Sequence, residues 1–190
     1  MKKISIFLVA GLMLSAFIIS CGGPKKASTE AGSTEISLPL SGKEYRTDKE
    51  YFRSVQSGKS PDLSTAKKIA LNNAKSEIAG LINSKIKTVT DNYTNQRSTA
   101  NAQDFENKFE TMTREVVNQQ LSDIAIKDEK IFKEKDNSYT YYVCIEISKE
   151  SILNGINNNI SKNQKLQIDY DKKKFEDTYN AEMEKMEKDK

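Results

Sequence analysis

Between positions 66 and 82 the apolar residues fall at intervals of three and four. Ala66, Ile69, Ala70, Ala74, Ile78, Leu81 and Ile82 form one stripe, the period of one face of an α-helix. Lys67, Lys68, Lys75 and Glu77 lie mostly off that stripe. Ser60-Pro61-Asp62 precedes it, with a Ser or Asp cap and Pro at an early helical position. A helix of this kind must bury its stripe against a second layer, and the rest of the chain is read for that layer.

Strand signals stand on both sides. Tyr51 to Gln56 alternates and stops at Ser57-Gly58, which predicts a short strand. Tyr139 to Ser148 alternates most clearly: Tyr139, Tyr141, Val143, Ile145 and Ile147 face one way, and Thr140, Tyr142, Cys144 and Glu146 the other. A strand from Ile124 to about Lys133 and a turn at Lys135-Asp136-Asn137-Ser138 complete a hairpin. The alternation of Ile86, Thr88 and Thr90 predicts a strand over residues 85–94, although Ile82, Ile86 and Val89 also keep helical spacing. Residues 95–100 read as a polar turn. A second helix is predicted over 102–122, with Phe105, Phe109, Met112 and Val116 on its stripe. Ser148 or Ser151 caps a final long helix. Its stripe starts as Ile152, Ile156 and Ile160, fades through Asn163-Gln164, and resumes as Phe175, Tyr179, Met183 and Met186. The expectation is that the first half packs on the domain and the second half projects or docks on a partner. The fold class expected is α+β: a single two-layer domain with a small, mostly antiparallel sheet packed by two or three helices, and a long C-terminal helix.

The N-terminus carries a different signal. Met1-Lys2-Lys3 is followed by an apolar run from Ile4 to Ile19, then Ser20, Cys21 and Gly22-Gly23-Pro24. The run is shorter than the ~20 residues that span a bilayer and has the length of a secretory signal. Ile18-Ile19-Ser20 is a relaxed lipobox, and the layout resembles that of bacterial lipoproteins. That resemblance implies cleavage before Cys21, a diacylglycerol on its sulfur and a further acyl chain, such as palmitate, on its amine. Two or more chains give stable anchoring, since each buried methylene contributes ~0.8 kcal/mol. Gly22 stands where an inner-membrane retention signal places Asp, which implies the outer membrane with the domain facing the periplasm. The expected organisation is a signal peptide over 1–20, a lipidated flexible tether over 21–43, an α/β domain over 44–160 and a charged helical extension over 161–190. A tether of about twenty residues spans roughly 25 Å on average by coil scaling.

Composition narrows the function classes. Loss of Lys2 and Lys3 with the signal leaves 28 basic against 27 acidic residues, so nothing favours nucleic acid or an anionic surface. Histidine is absent, which excludes a Ser-His-Asp hydrolase and removes the commonest metal ligand. Asp169-Tyr170-Asp171 is a poor calcium loop, because Lys173 takes the next ligand position and the turn glycine is missing. With Cys21 lipidated, Cys144 has no disulfide partner, and its place between Val143 and Ile145 predicts a buried thiol. No cofactor is expected.

With these elements placed, residues 51–149 resemble the bacterial twenty-kilodalton membrane-associated lipoprotein family. The likeness rests on Val55-Gln56-Ser57-Gly58, on Ala66, Ala70, Ala74 and Ile78-Ala79, on the closing strand Tyr141-Tyr142-Val143-Cys144-Ile145-Glu146, and on the lipid signal. The family motif supplies no catalytic residue. The expectation is therefore a non-enzymatic, membrane-anchored envelope lipoprotein, structural or protein-binding, that engages an envelope protein or itself. Tyr142, Phe175, Tyr179, Met183 and Met186 are its candidate partner surface. The alternative is a module that binds a small ligand or cell-wall glycan at an open sheet face near Tyr142.

Overall fold

A computed structural model describes residues 36–96, 102–122, 124–168 and 170–188. Cys21, the signal, most of the tether and the turn expected at 97–100 lie outside the described residues. The compact unit runs from Ser37 to the C-terminus. Its elements are a 3-10 turn at Lys43–Tyr45, β1 (Tyr51–Ser60), α1 (Leu63–Asn95), α2 (Ala102–Ser122), β2 (Ala125–Lys133), β3 (Tyr139–Ser148), α3 (Lys149–Ser161), α4 (Gln164–Ile168) and α5 (Lys172–Lys188). The fold is α+β. No described helix is long and apolar enough to cross a membrane.

The sheet is antiparallel in the order β1-β3-β2. β3 is central, and its apolar row of Tyr141, Val143, Ile145 and Ile147 is buried. Phe52, Ser54, Gln56 and Gly58 of β1 pair with that row and share its face. The hairpin between β2 and β3 closes through Glu134 N to Ser138 O (2.8 Å) and Asn137 N to Glu134 O (3.0 Å). Asn137 takes a left-handed conformation (φ 62°) that asparagine tolerates better than most residues.

α1 is the spine of the molecule. Asp62 caps it by accepting from Thr65 N at 2.7 Å, and its 33 residues extend about 50 Å at 1.5 Å per residue. Ten-residue strands cover only about 33 Å, so the helix outruns the sheet. Its first half lies on β1: Glu77 accepts from Ser54 Oγ and from Gln56 Nε2 (2.8 Å). Its second half gathers the other helices. Tyr93 packs on Phe105 of α2, on Tyr170 and on Phe175 of α5, with centroids 6.0, 6.2 and 5.5 Å away.

Three expectations are corrected here. Residues 85–94 are helix, not strand: Ile82, Ile86, Val89 and Tyr93 all sit at 0–1% exposure on one α1 stripe. The threonines that looked strand-like bond back along the helix, Thr90 Oγ1 to Ile86 O at 2.9 Å and Thr88 Oγ1 to Ser84 O at 3.2 Å. β1 does not stop at Ser57-Gly58 but continues to Ser60, because β3 supplies partners along its whole length. The final helix is three helices. α3 closes at Ser161 with Lys162 as its C-cap, and Asp171 starts α5 by accepting from Lys174 N at 3.0 Å. Capping is thus the part Asp171 takes in the segment that distantly matched a calcium loop.

Candidate interaction surface

The far side of the sheet, away from α1, is half covered by the chain entering β1. Arg53 projects from β1 onto this face, where its Nε donates to Glu146 Oε2 (2.8 Å), and one terminal nitrogen donates to Arg46 O (2.8 Å) and pairs with Asp48. Thr47 Oγ1 donates to Arg53 O (3.2 Å) and accepts from Arg53 N (2.9 Å). Lys127 approaches Glu146 to 3.5 Å. Tyr45 Oη donates to Asp128 Oδ2 at 2.6 Å, and that carboxylate pushes the phenol up to about 12. Cys144 lies under this cover, fully buried and with its Sγ 3.9 Å from Tyr45 O. Burial pushes its thiol up to about 11, against the opposing pull of Arg53 and Lys127.

Toward the hairpin the same face opens. Tyr142 is half-buried, and its ring meets Phe132 of β2 edge-on at 5.7 Å. Phe132 remains 44% exposed. β2 itself is exposed along nearly its whole length, with Ile126 at 43% and Ile131 at 49% on the side facing α1. On that side Tyr141 Oη donates to Glu129, whose carboxylate lies 3.5 Å from Lys67.

β2 also ends the sheet. The Glu134–Ser138 bond sets the phase of the antiparallel ladder. The backbone groups of Lys130 and Phe132 therefore point at β3, and those of Glu129, Ile131 and Lys133 point to the free edge. A register shift between Ile126 and Asp128 limits the regular part of that edge to the stretch after it. Lys127, Lys130 and Lys133 further restrict what can add there.

The other expected partner residues are not on this surface. Phe175, Tyr179, Met183 and Met186 lie in the core at 0%, 2%, 4% and 8% exposure. Phe175 stacks among Tyr93, Phe109, Tyr170 and Tyr179, and Tyr179 Oη donates to Lys149 O at 2.7 Å. The expected extension over 161–190 is therefore part of the domain, and its apolar stripe is consumed by α1, α2 and α3. Of the expected partner residues Tyr142 alone is part exposed; Phe132 shares its face of the sheet, and the exposed Ile126 and Ile131 lie on the opposite face, three residues that the sequence did not single out. Their signal was present as apolar residues interleaved with lysines. It gave no face, because Ile131 and Phe132 are adjacent and point to opposite sides.

Comparison of the chain with protein-family models, with curated proteins and with solved structures finds no match.

Proposed function

We propose that this chain is a lipid-anchored lipoprotein of the bacterial outer membrane, facing the periplasm, that works without catalysis as a protein-interaction component through the edge of β2. Membership of the twenty-kilodalton lipoprotein family is part of this reading and rests on the sequence likeness of residues 51–149. The observation that carries the interaction surface is a nine-residue strand left open at its outer edge and on both faces, with Ile126, Ile131 and Phe132 uncovered. Exposed strand edges of this kind accept another strand, with backbone hydrogen bonds for affinity and alternate side chains for selection.

The occupant that the strand fits best is a second copy of itself. Antiparallel pairing about a two-fold axis at Ile131 sets Ile131 opposite its own copy. It also sets Glu129 opposite Lys133 twice and Lys130 opposite Phe132 twice. Opposite charges and apolar pairs placed this way each contribute roughly 0.2–1 kcal/mol, and lysine over an aromatic ring is a further attraction. The pairing would merge two three-stranded sheets into one of six.

Sedimentation of the mature lipoprotein in detergent micelles tests this reading. A concentration-dependent dimer that Ile131→Lys converts to monomer, with an unchanged circular dichroism spectrum, is the expected result. A monomer at all concentrations that cross-links to another envelope protein through β2 would replace self-pairing with a different partner strand. If neither self-association nor envelope cross-linking responds to Ile131→Lys, the interaction reading fails.

A further inference from the structure

The sheet has a second edge strand, β1. Lys149 N donates to Glu50 O at 2.9 Å, which sets the phase of the β1–β3 ladder. The backbone groups of Phe52, Ser54, Gln56 and Gly58 therefore point at β3, and those of Tyr51, Arg53, Val55, Ser57 and Lys59 point to the outer edge. An edge of this length receives another strand unless something covers it.

The chain entering β1 covers the first part of that edge. Asp48 N donates to Tyr51 O at 3.0 Å, and Asp48 Oδ1 accepts from Tyr51 N at 2.8 Å. Thr47 Oγ1 accepts from Arg53 N at 2.9 Å and donates to Arg53 O at 3.2 Å. The N–H and C=O of both Tyr51 and Arg53 are thus used as a neighbouring strand would use them, largely by side chains. Further ties hold this strap in place. The Arg53 guanidinium pairs with Asp48 and donates to Arg46 O (2.8 Å), and Tyr45 Oη donates to Asp128 Oδ2 (2.6 Å) on β2. Beyond Val55 the cover thins: Asn73 Nδ2 of α1 reaches Ser57 O at 3.4 Å.

Under the strap, β1 fits a second copy of itself. Antiparallel pairing about a two-fold axis at Val55 sets Val55 opposite its own copy. It also sets Arg53 opposite Ser57 twice and Tyr51 opposite Lys59 twice. No like charges oppose one another, and a lysine meets an aromatic ring at each end. The two-fold axis makes a partial cover sufficient. Every hydrogen-bonded pair outside Val55 includes Tyr51 or Arg53 of one copy, and those are the residues that Asp48 and Thr47 hold.

We propose that Thr47 and Asp48 form an autoinhibitory lock on a second self-pairing edge, and that release of this strap lets β1 pair with β1 of another copy. With the lock shut, assembly is confined to β2. With it open, copies joined alternately through β2 and through β1 extend the sheet in both directions. The confinement to dimers rests on the β2 reading; the lock itself does not, because β1 and β2 are opposite edges.

The variant Tyr45→Phe/Thr47→Val/Asp48→Ala, made in the mature lipoprotein, removes the strap's side-chain ties. Cys144, beneath the strap, reports its release: iodoacetamide should label it about tenfold faster or more than in the folded wild type. Sedimentation in reducing detergent solution should shift from dimers to larger assemblies, with the circular dichroism spectrum retained. Adding Val55→Lys, which sets like charges opposite each other, should reverse that shift. In an Ile131→Lys background the same variant should pass from monomer to dimer, so the lock is read even where β2 pairing fails. Thr47→Val alone, nearly isosteric, should move both readings in the same direction, and Thr47→Ser should leave both at wild-type values. Labelling as slow as wild type in the triple variant, fast labelling with no gain in association, or association indifferent to Val55→Lys overturns the proposal.

Discussion

A methyl group on Gly58 would sit 2.3 Å from the carbonyl oxygen of Ala66 and 2.7 Å from the amide nitrogen of Ala70. α1 therefore rests on β1 with bare backbone against bare backbone, and the alanine ridge Ala66, Ala70, Ala74, buried at 0% exposure, is what allows it. Gly58→Ala should lower unfolding free energy by about 1–3 kcal/mol, the usual range for overpacking, as read by urea denaturation. Cys144 shows the same scale acting on chemistry. Its thiol, pushed up from the usual 9.0 to about 11, has about 100-fold less thiolate near pH 8 than an ordinary cysteine. Iodoacetamide should label it slowly in the folded protein and at the normal rate in urea. The sign for stability follows from the raised value: the buried neutral thiol contributes fully below pH 9.0 and its contribution is lost as pH rises toward about 11. Fast labelling of the folded chain at pH 8 would contradict the cover that the Tyr45 segment forms over this residue.

At the scale of elements, α5 changes the expected consequence of truncation. Its stripe looked like a docking surface in the sequence, because charges flank it and the first half of the C-terminal region fills a helix by itself. A stripe states that something covers it and does not state whether the cover belongs to the same chain. Here α1 is long enough to reach α5: Asn92 Nδ2 donates to Glu182 Oε1 at 3.0 Å, and Asp171 N donates to Tyr93 Oη at 2.7 Å. The alternation over 85–94, which leaned toward a strand, gave no sign of that reach. β-branched residues favour strands only when a neighbouring strand receives them, and Thr88 and Thr90 have a helix turn instead. By contrast, residues 102–122 and 139–148 were legible to the residue, because each carries one uninterrupted period that its tertiary partners share. Phe175→Ala should cost about 3–5 kcal/mol, as for other fully buried aromatics, measured by chemical denaturation. Deleting residues 171–190 should abolish cooperative unfolding rather than spare it. A truncated chain with a sharp, wild-type-like transition would show that the helical end is dispensable.

At the scale of the whole molecule, the account joins an anchor to an edge. On the proposed lipid anchoring at Cys21, Cys21→Ala should move the folded domain from the membrane to the soluble periplasmic fraction. Retention of that variant in the membrane would require an uncleaved helix or a partner that holds it. The edge was not legible in advance. Which strand ends a sheet depends on pairing order, and the order β1-β3-β2 puts at an edge the strand that is second of the three in sequence.

Self-pairing through β2 is the central claim, and a single engineered cysteine tests it. Residues paired at a hydrogen-bonded position across antiparallel strands have Cα atoms about 5.5 Å apart, within the range a disulfide requires. The mature lipoprotein carries no competing reactive thiol, because Cys21 is acylated in this account and Cys144 is buried. In native membranes treated with mild oxidant, Ile131→Cys should give a disulfide-linked dimer on non-reducing gels. Failure to form that dimer, while the same thiol stays open to a soluble maleimide, would contradict the account.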